Sequence, residues 1–264
     1  MKPAPFRYLR PETLEEALAA LANEEEVKVL AGGQSLVPAL NMRLVRPSLL
    51  VDINRVSELD DVVSNNSRLA VGAMVRQSNP RLLDHPLLAE ALPHIGHFVT
   101  RNRGTVGGSI AHADTAAELP LCLVLLGGSV RTRSARSERE IAARDFFVTH
   151  FRTALEPDEL VVETLWPNPH EGWGYAFCEV AQRHGDYALC MAAAAARGDE
   201  LRVALGSIVD RPTLFEVDPQ RAGESAADQV KPWGNVHASP AYLTHLVHVL
   251  VDRAVALARA RAVE

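Results

Sequence analysis

Only three cysteines, Cys122, Cys178 and Cys190, occur among the 264 residues. They are odd in number, far apart and without a Cys-x-x-Cys pair, so this chain alone assembles neither a zinc site nor an iron–sulfur cluster. A basic surplus is also missing. Lys and Arg number 27 against 33 Asp and Glu, a net charge of −6, which argues against a nucleic-acid-binding face. Arg131, Arg133, Arg136 and Arg139 cluster, but Glu138 and Glu140 interrupt them, and the stretch reads as a solvated loop. No apolar run reads as long enough to cross a bilayer; the longest, Leu119 to Gly128, contains a proline, ends in two glycines and reads as a buried helix. Met1 to Arg7 carries no apolar signal-peptide core, and the expected compartment is the cytoplasm. Walker, Gly-x-Ser-x-Gly and Ser/His/Asp patterns are absent, and Gly104, Gly107 and Gly108 do not have Rossmann spacing.

What remains is an ordinary globular composition, 47% apolar and 23% charged, enough for two domains of moderate size. Leu14, Ala17, Leu18 and Leu21 recur at helical spacing. A strand is expected over 27–31, a helix capped by Ser35 and running to about Val45, strands at 49–53 and 69–72, and a helix from Pro80 to about Ile95. Thr115 to Leu126 reads as a helix and Glu159 to Trp166 as a strand. Pro167, Pro169 and Gly172 then break the chain near residue 168. Beyond lie three strand-like runs (173–180, 187–196, 201–208) and a last helix with Ser239 as cap, Pro240 in its first turn and an apolar stripe of Leu243, Leu246, Val247, Leu250, Val251 and Ala254. The expected fold class is α+β, with domains at 1–168 and 169–264.

Two glycine segments carry the chemistry: Ala31-Gly32-Gly33-Gln34-Ser35 and Thr105-Val106-Gly107-Gly108-Ser109. Paired glycines permit positive φ and bring backbone N–H groups close to an anion, and Ser35, Thr105 and Ser109 add hydroxyls. Facing each other, the two loops would hold a dinucleotide's two phosphates without a lysine; taken singly, each reads more often as a plain turn. His112, Asp114 and Glu118 admit metal ligation, but no further ligand has supporting spacing, and Asp114 reads more simply as a helix cap. His94, His97, His245 and His248 read as histidines without partners. Tyr187, on the turn after Gly185, serves either as a core tyrosine or as a cover for a flat ligand.

Leu30-Ala31-Gly32-Gly33-Gln34-Ser35-Leu36-Val37-Pro38, then Asn102 through Asp114, then Arg183-His184-Gly185-Asp186-Tyr187-Ala188-Leu189, resemble the medium, FAD-binding subunit of the xanthine dehydrogenase and aerobic carbon monoxide dehydrogenase (molybdenum hydroxylase) family. The resemblance extends to Pro232-Trp233 and His237-Ala238-Ser239, and so covers nearly the whole chain. It implies a vanillyl-alcohol-oxidase-type FAD domain of two α+β subdomains, with a small C-terminal domain of antiparallel sheet and helices. It also implies a non-covalent FAD contacted by Leu30, Ala31, Gly32, Gly33, Gln34, Ser35 and Leu36, and by Gly104, Thr105, Gly107, Gly108, Ser109, Ala111 and His112. Asp114 and Glu118 would lie on the ribityl and flavin side, Leu160 or Val161 near the adenine or flavin edge, and Asp186 and Tyr187 by the isoalloxazine ring. Thr115 departs from a usual proline and Gln182 from a common arginine.

The implied function is electron transfer, without a catalytic acid or base of its own and without a metal. A small 2Fe–2S subunit would deliver electrons from a large molybdopterin subunit, in a dimer of heterotrimers, and the FAD would pass them to an external acceptor. The competing readings are a self-sufficient flavin oxidase or reductase, for which the second domain leaves little room, and a non-enzymatic nucleotide-binding assembly protein.

Overall fold

In the computed structural model, which describes residues 2–262, the chain opens with β1 (Arg7–Leu9), α1 (Leu14–Asn23), β2 (Val27–Leu30), α2 (Leu36–Asn41) and β3 (Leu49–Asp52). The strands form a parallel sheet in the order β1-β3-β2. Thr13 caps α1 by accepting the Glu16 N–H, and the helical spacing of Leu14, Ala17, Leu18 and Leu21 buries one face against Leu49 and Val51 of β3. Ser35 stands at the N-cap of α2 but makes no capping bond, contrary to expectation. The helix also ends at Asn41 rather than near Val45: the Met42 N–H closes the last turn on the Pro38 carbonyl, and Arg43 turns the chain with φ 58°.

Next come β4 (Val62–Ser64), β5 (Arg68–Gly72), α3 (Pro86–Ala91), α4 (Phe98–Arg101), α5 (Val106–His112), α6 (Glu118–Leu126), β6 (Ser129–Arg133) and β7 (Glu138–Ala142). A short α7 (Ala143–Phe146), the ribbon β8 (Phe147–Thr149) and β9 (Arg152–Thr153), and β10 (Leu160–Pro167) follow. An antiparallel sheet ordered β4-β5-β10-β6-β7 results. The single helix expected over 80–95 is broken into a 3-10 turn, α3 and a second 3-10 turn, because Pro86 and Pro93 each lack an N–H for a continuous ladder. The arginine cluster is not a solvated loop but the β6–β7 hairpin. Val130 and Thr132 alternate inward between Ser129, Arg131 and Arg133, and Arg131 and Arg139 each pair at 2.6 Å with Glu163 and Glu159. Every residue of α6 is buried. It begins at Glu118 rather than Thr115, because Asp114 Oδ1 accepts the Ala116 N–H at 2.9 Å and holds an Asx turn ahead of the helix.

The chain ends in a meander of β11 (Gly174–Ala181), β12 (Ala188–Arg197), β13 (Glu200–Gly206) and β14 (Thr213–Phe215), then α8 (Ala222–Asp228) and α9 (Pro240–Arg261). β12 is buried on both faces. Met191, Ala193 and Ala195 join the central core with α6 and Trp166, while Cys190, Ala192, Ala194 and Ala196 pack in the core of α8 and α9. Side chains of a strand alternate between faces, and methyl groups let helices approach the sheet closely on either side. Ser239 caps α9 through the Tyr242 N–H at 3.2 Å. α9 is long and apolar enough, by length and composition, to cross a membrane, which no segment was expected to be; its stripe from Leu243 to Ala258 is buried in the core shared with β11 and β12. The architecture is α+β, as expected, and it packs β11 and β12 against α3 and α6 beside the glycine loops.

Candidate cofactor site

The loop after β2 and the loop before α5 lie against each other. A Cβ on Gly32 would stand 2.3 Å from the Arg103 carbonyl oxygen and 2.8 Å from Gly104 Cα, so only glycine allows the contact. Gly33 takes φ 75°, in the left-handed region. Among the described residues, the amides of Gly32, Gly33, Gln34 and Ser35 donate to no backbone carbonyl. Consecutive free amides on a turn form an anion-holding concavity. The second loop is employed differently from its expected role. The Val106 and Gly107 N–H groups bond the Val75 and Ala73 carbonyls at 2.9 and 3.0 Å; those of Gly108 and Ser109 bond the Thr105 hydroxyl and carbonyl at 3.0 and 3.1 Å. Its amides therefore anchor α5, and the half-buried surface of Gly108 and Ser109 is what it turns toward Ala31 and the first loop.

Two residues that no motif singled out tie these loops together. Asn54 donates to the Ala31 carbonyl at 2.8 Å, Arg76 donates to Asn54 Oδ1 at 2.8 Å, and the same guanidinium donates to the Arg103 carbonyl at 2.6 Å. Burial, and then the neighbouring Arg103, lower the Arg76 pKa, but a guanidinium remains charged at neutral pH. Burial alone would raise the Asp52 pKa; hydrogen bonds from Tyr8 and Asn54 overcome it and hold the carboxyl below its usual range, fixing Asn54 in place. Arg76→Ala is therefore expected to weaken dinucleotide binding by roughly 10- to 100-fold, the worth of one charge-assisted hydrogen-bond partner, in an equilibrium titration with FAD. Arg76→Lys should recover only part, because an ammonium cannot bridge both loops in one plane.

At the other end, α5 closes on Ala113 with φ 52°, which brings Asp114 and Glu118 under the C-terminal sheet. Glu118 is 6% exposed; burial first and the Glu179 carboxylate second push its pKa up to about 8. Tyr187 is 71% exposed, so it is not a core residue. Its hydroxyl is raised above the ordinary phenol pKa by partial desolvation, then by the charges of Asp114 and Glu118. Asp186 is exposed beside it. Ala111 is exposed on α5, and the ring of His112 lies 4.7 Å from that of Phe151. Leu160 and Val161 are buried, in the α1 core and the central core respectively, which leaves only their backbone for a cofactor. Among the described residues, no three His, Cys, Asp or Glu side chains are gathered as metal ligands. Thr115, in place of the usual proline, bonds His150 Nδ1 at 3.0 Å, and Gln182 bonds His237 Nδ1 at 2.8 Å.

Residues 4–169 match the family described as "FAD binding domain in molybdopterin dehydrogenase". The chain is 39% identical, over 99% of its length and 97% of the relative's, to the 6-hydroxypseudooxynicotine dehydrogenase complex subunit alpha of Paenarthrobacter nicotinovorans. It is 41% identical to the caffeine dehydrogenase subunit beta of a Pseudomonas species, over 81% and 77% of the two chains. Among solved structures, a chain of carbon monoxide dehydrogenase from Hydrogenophaga pseudoflava superposes with a TM-score of 0.93 at 30% identity, covering 100% of both chains. A chain of quinoline 2-oxidoreductase from Pseudomonas putida 86 does so with a TM-score of 0.91 at 36% identity, covering 98% and 99%.

Proposed function

The chain belongs to the FAD-binding family of the molybdopterin dehydrogenases, and from that premise we propose that it is the electron-transfer flavoprotein subunit of a molybdenum hydroxylase. It accepts electrons from the 2Fe–2S clusters of a small partner subunit, supplied in turn by a large molybdopterin subunit, and passes them to an external acceptor. The observation that carries this reading is the first glycine loop. Its four free amides, next to the Arg76 cation, form a diphosphate cradle whose closure against Arg103 and Gly104 a single Cβ at Gly32 would prevent.

Bound FAD supplies the one- and two-electron chemistry; the chain's residues bind and orient it. The amides of Gly32 to Ser35, with Arg76 and the Ser109 hydroxyl, hold the pyrophosphate. Asp114 and Glu118 take the ribityl and flavin side, residues 1–168 form the binding domain, and residues 169–264 cover it with Tyr187. All three cysteines are buried and free, which suits a non-covalent flavin and a reducing cytoplasm. Relatives named as a complex subunit and as a medium subunit support a place as one subunit of a larger complex, which on this proposal is a dimer of heterotrimers.

Expressed alone and loaded with FAD, the chain is expected to oxidise no organic substrate with any acceptor, whereas the same protein reduced beforehand with dithionite should pass those electrons to an artificial acceptor. Co-expressed with iron–sulfur and molybdopterin subunits, it should co-purify with them and turn over their substrate. Substrate oxidation by the chain alone favours a self-sufficient oxidoreductase, and a stable chain that ignores FAD favours an assembly protein.

A further inference from the structure

Glu179 stands on β11 two residues after Phe177 and opposite Met191, on the face of the sheet that meets the central core, and its charge acts on Glu118. Its side chain is 3% exposed, and its Oε2 has no hydrogen-bond partner among the described residues. The other oxygen, Oε1, lies 3.7 Å from His94 Nδ1. His94 is 36% exposed and leans on Phe177 with ring centroids 5.4 Å apart, so it joins the buried carboxyl to solvent. A buried carboxylate normally survives by pairing with a cation. Here the cations are engaged elsewhere. Arg101, the one base acting on Glu118, donates to the Ile95 and Gly96 carbonyls at 2.8 and 3.1 Å. Arg261 pairs with Glu90, whose second oxygen accepts the Phe177 N–H at 2.9 Å. The charge of His184 disfavours and that of Glu90 favours protonation of His94, while Asp114 disfavours ionisation of Glu118. Two buried acids therefore act on one another without a dedicated ion-pair partner, and burial raises Glu179 to about 7. A purely packing role needs no ionisable group at either position.

We infer that Glu179 and Glu118, opened to solvent through His94, are the proton store of the flavin site, loading a proton as electrons arrive and releasing it as they leave. The inference rests on the placement of Glu118 beside the flavin. The balance is simple: an electron pair from the reduced iron–sulfur partner brings negative charge and no proton. Part of that charge is offset by a proton from water, passed by the His94 imidazole to the Glu179 carboxylate. Reoxidation by the external acceptor returns the proton by the same path.

The test uses the FAD-loaded protein, reduced at an electrode that supplies electrons but no protons, in weak buffer with a pH indicator. The wild type is expected to take up more protons per electron pair than Glu179→Gln between about pH 6 and about pH 8, with the excess greatest near neutrality. His94→Phe should keep the total uptake but slow it at least tenfold after a potential step. Infrared spectra of flavin-free protein carrying labelled glutamate should show a carboxyl titrating near neutrality that Glu179→Gln removes. Flavin-loaded Glu179→Gln with wild-type uptake and wild-type pH dependence of its potential overturns the inference and leaves the flavoprotein reading intact. Protein that takes up no flavin overturns both.

Discussion

Gly108→Val is expected to yield a folded, colourless protein. The position lies between the two loops, where a Cβ would stand 2.7 Å from Thr105 Oγ1 and 3.7 Å from Ala31 Cβ. The first contact displaces a capping side chain, at a cost of about 1 kcal/mol to α5, which a domain of this size tolerates. The branched methyls then fill the gap over the diphosphate cradle, and affinity for FAD should fall about 100-fold or more, roughly 3 kcal/mol. Gly107→Val is the informative contrast. Its Cβ would meet Ala73 Cα at 2.5 Å and the Ala73 carbonyl oxygen at 2.8 Å, both backbone atoms of the neighbouring segment, so that variant should lose the fold itself. Circular dichroism and FAD titration separate the two outcomes. A Gly108→Val protein with full flavin occupancy removes this surface from the site.

Flavin-free wild-type protein should lose stability as the pH rises above neutrality, and Glu118→Gln should lose markedly less. In the folded chain Glu118 titrates at about 8, against 4.5 when unfolded, so the folded state holds a proton that the unfolded state has already released. Its contribution is fully present below 4.5 and disappears as the pH rises through about 8. Buried His85, lowered to about 4 by desolvation, acts in the opposite sense, but only below its unfolded value of 6.5. Glu179, raised to about 7, adds in the same sense up to about neutrality, and Glu118 itself should cost the wild type on the order of 2 kcal/mol between about pH 6.5 and about pH 8.5. Urea midpoints at several pH values read the slope directly. Parallel slopes for wild type and Glu118→Gln would mean that this carboxyl is solvated or paired in the folded chain.

The parts of this molecule that sequence periodicity reveals are those whose environment is local. α1, α6 and α9 carry their stripes or their uniform burial openly, and the alanines of β12 announce a strand pressed on both faces. The β6–β7 hairpin escaped because its alternation of Val130 and Thr132 is masked by arginines, Arg131 and Arg139, whose partners Glu163 and Glu159 lie 32 and 20 residues on. Both glycine loops were legible as anion-binding candidates. Which amides are free was not, because that depends on Thr105 folding back onto Gly108 and on Ala73 and Val75 claiming the next two. Asn54 and Arg76 belong to no motif and meet the loops only in three dimensions. His94, read as partnerless, acquires Glu179 only when β11 packs over the 3-10 turn that Pro93 produces.

One measurement reaches the central claim most directly: the flavin content of the purified protein before and after acid precipitation. A yellow protein that releases intact FAD into the supernatant, about one per chain, and leaves a colourless pellet is the result this account requires. A colourless protein that takes up no added FAD, or a flavin that stays on the precipitated polypeptide, would contradict it.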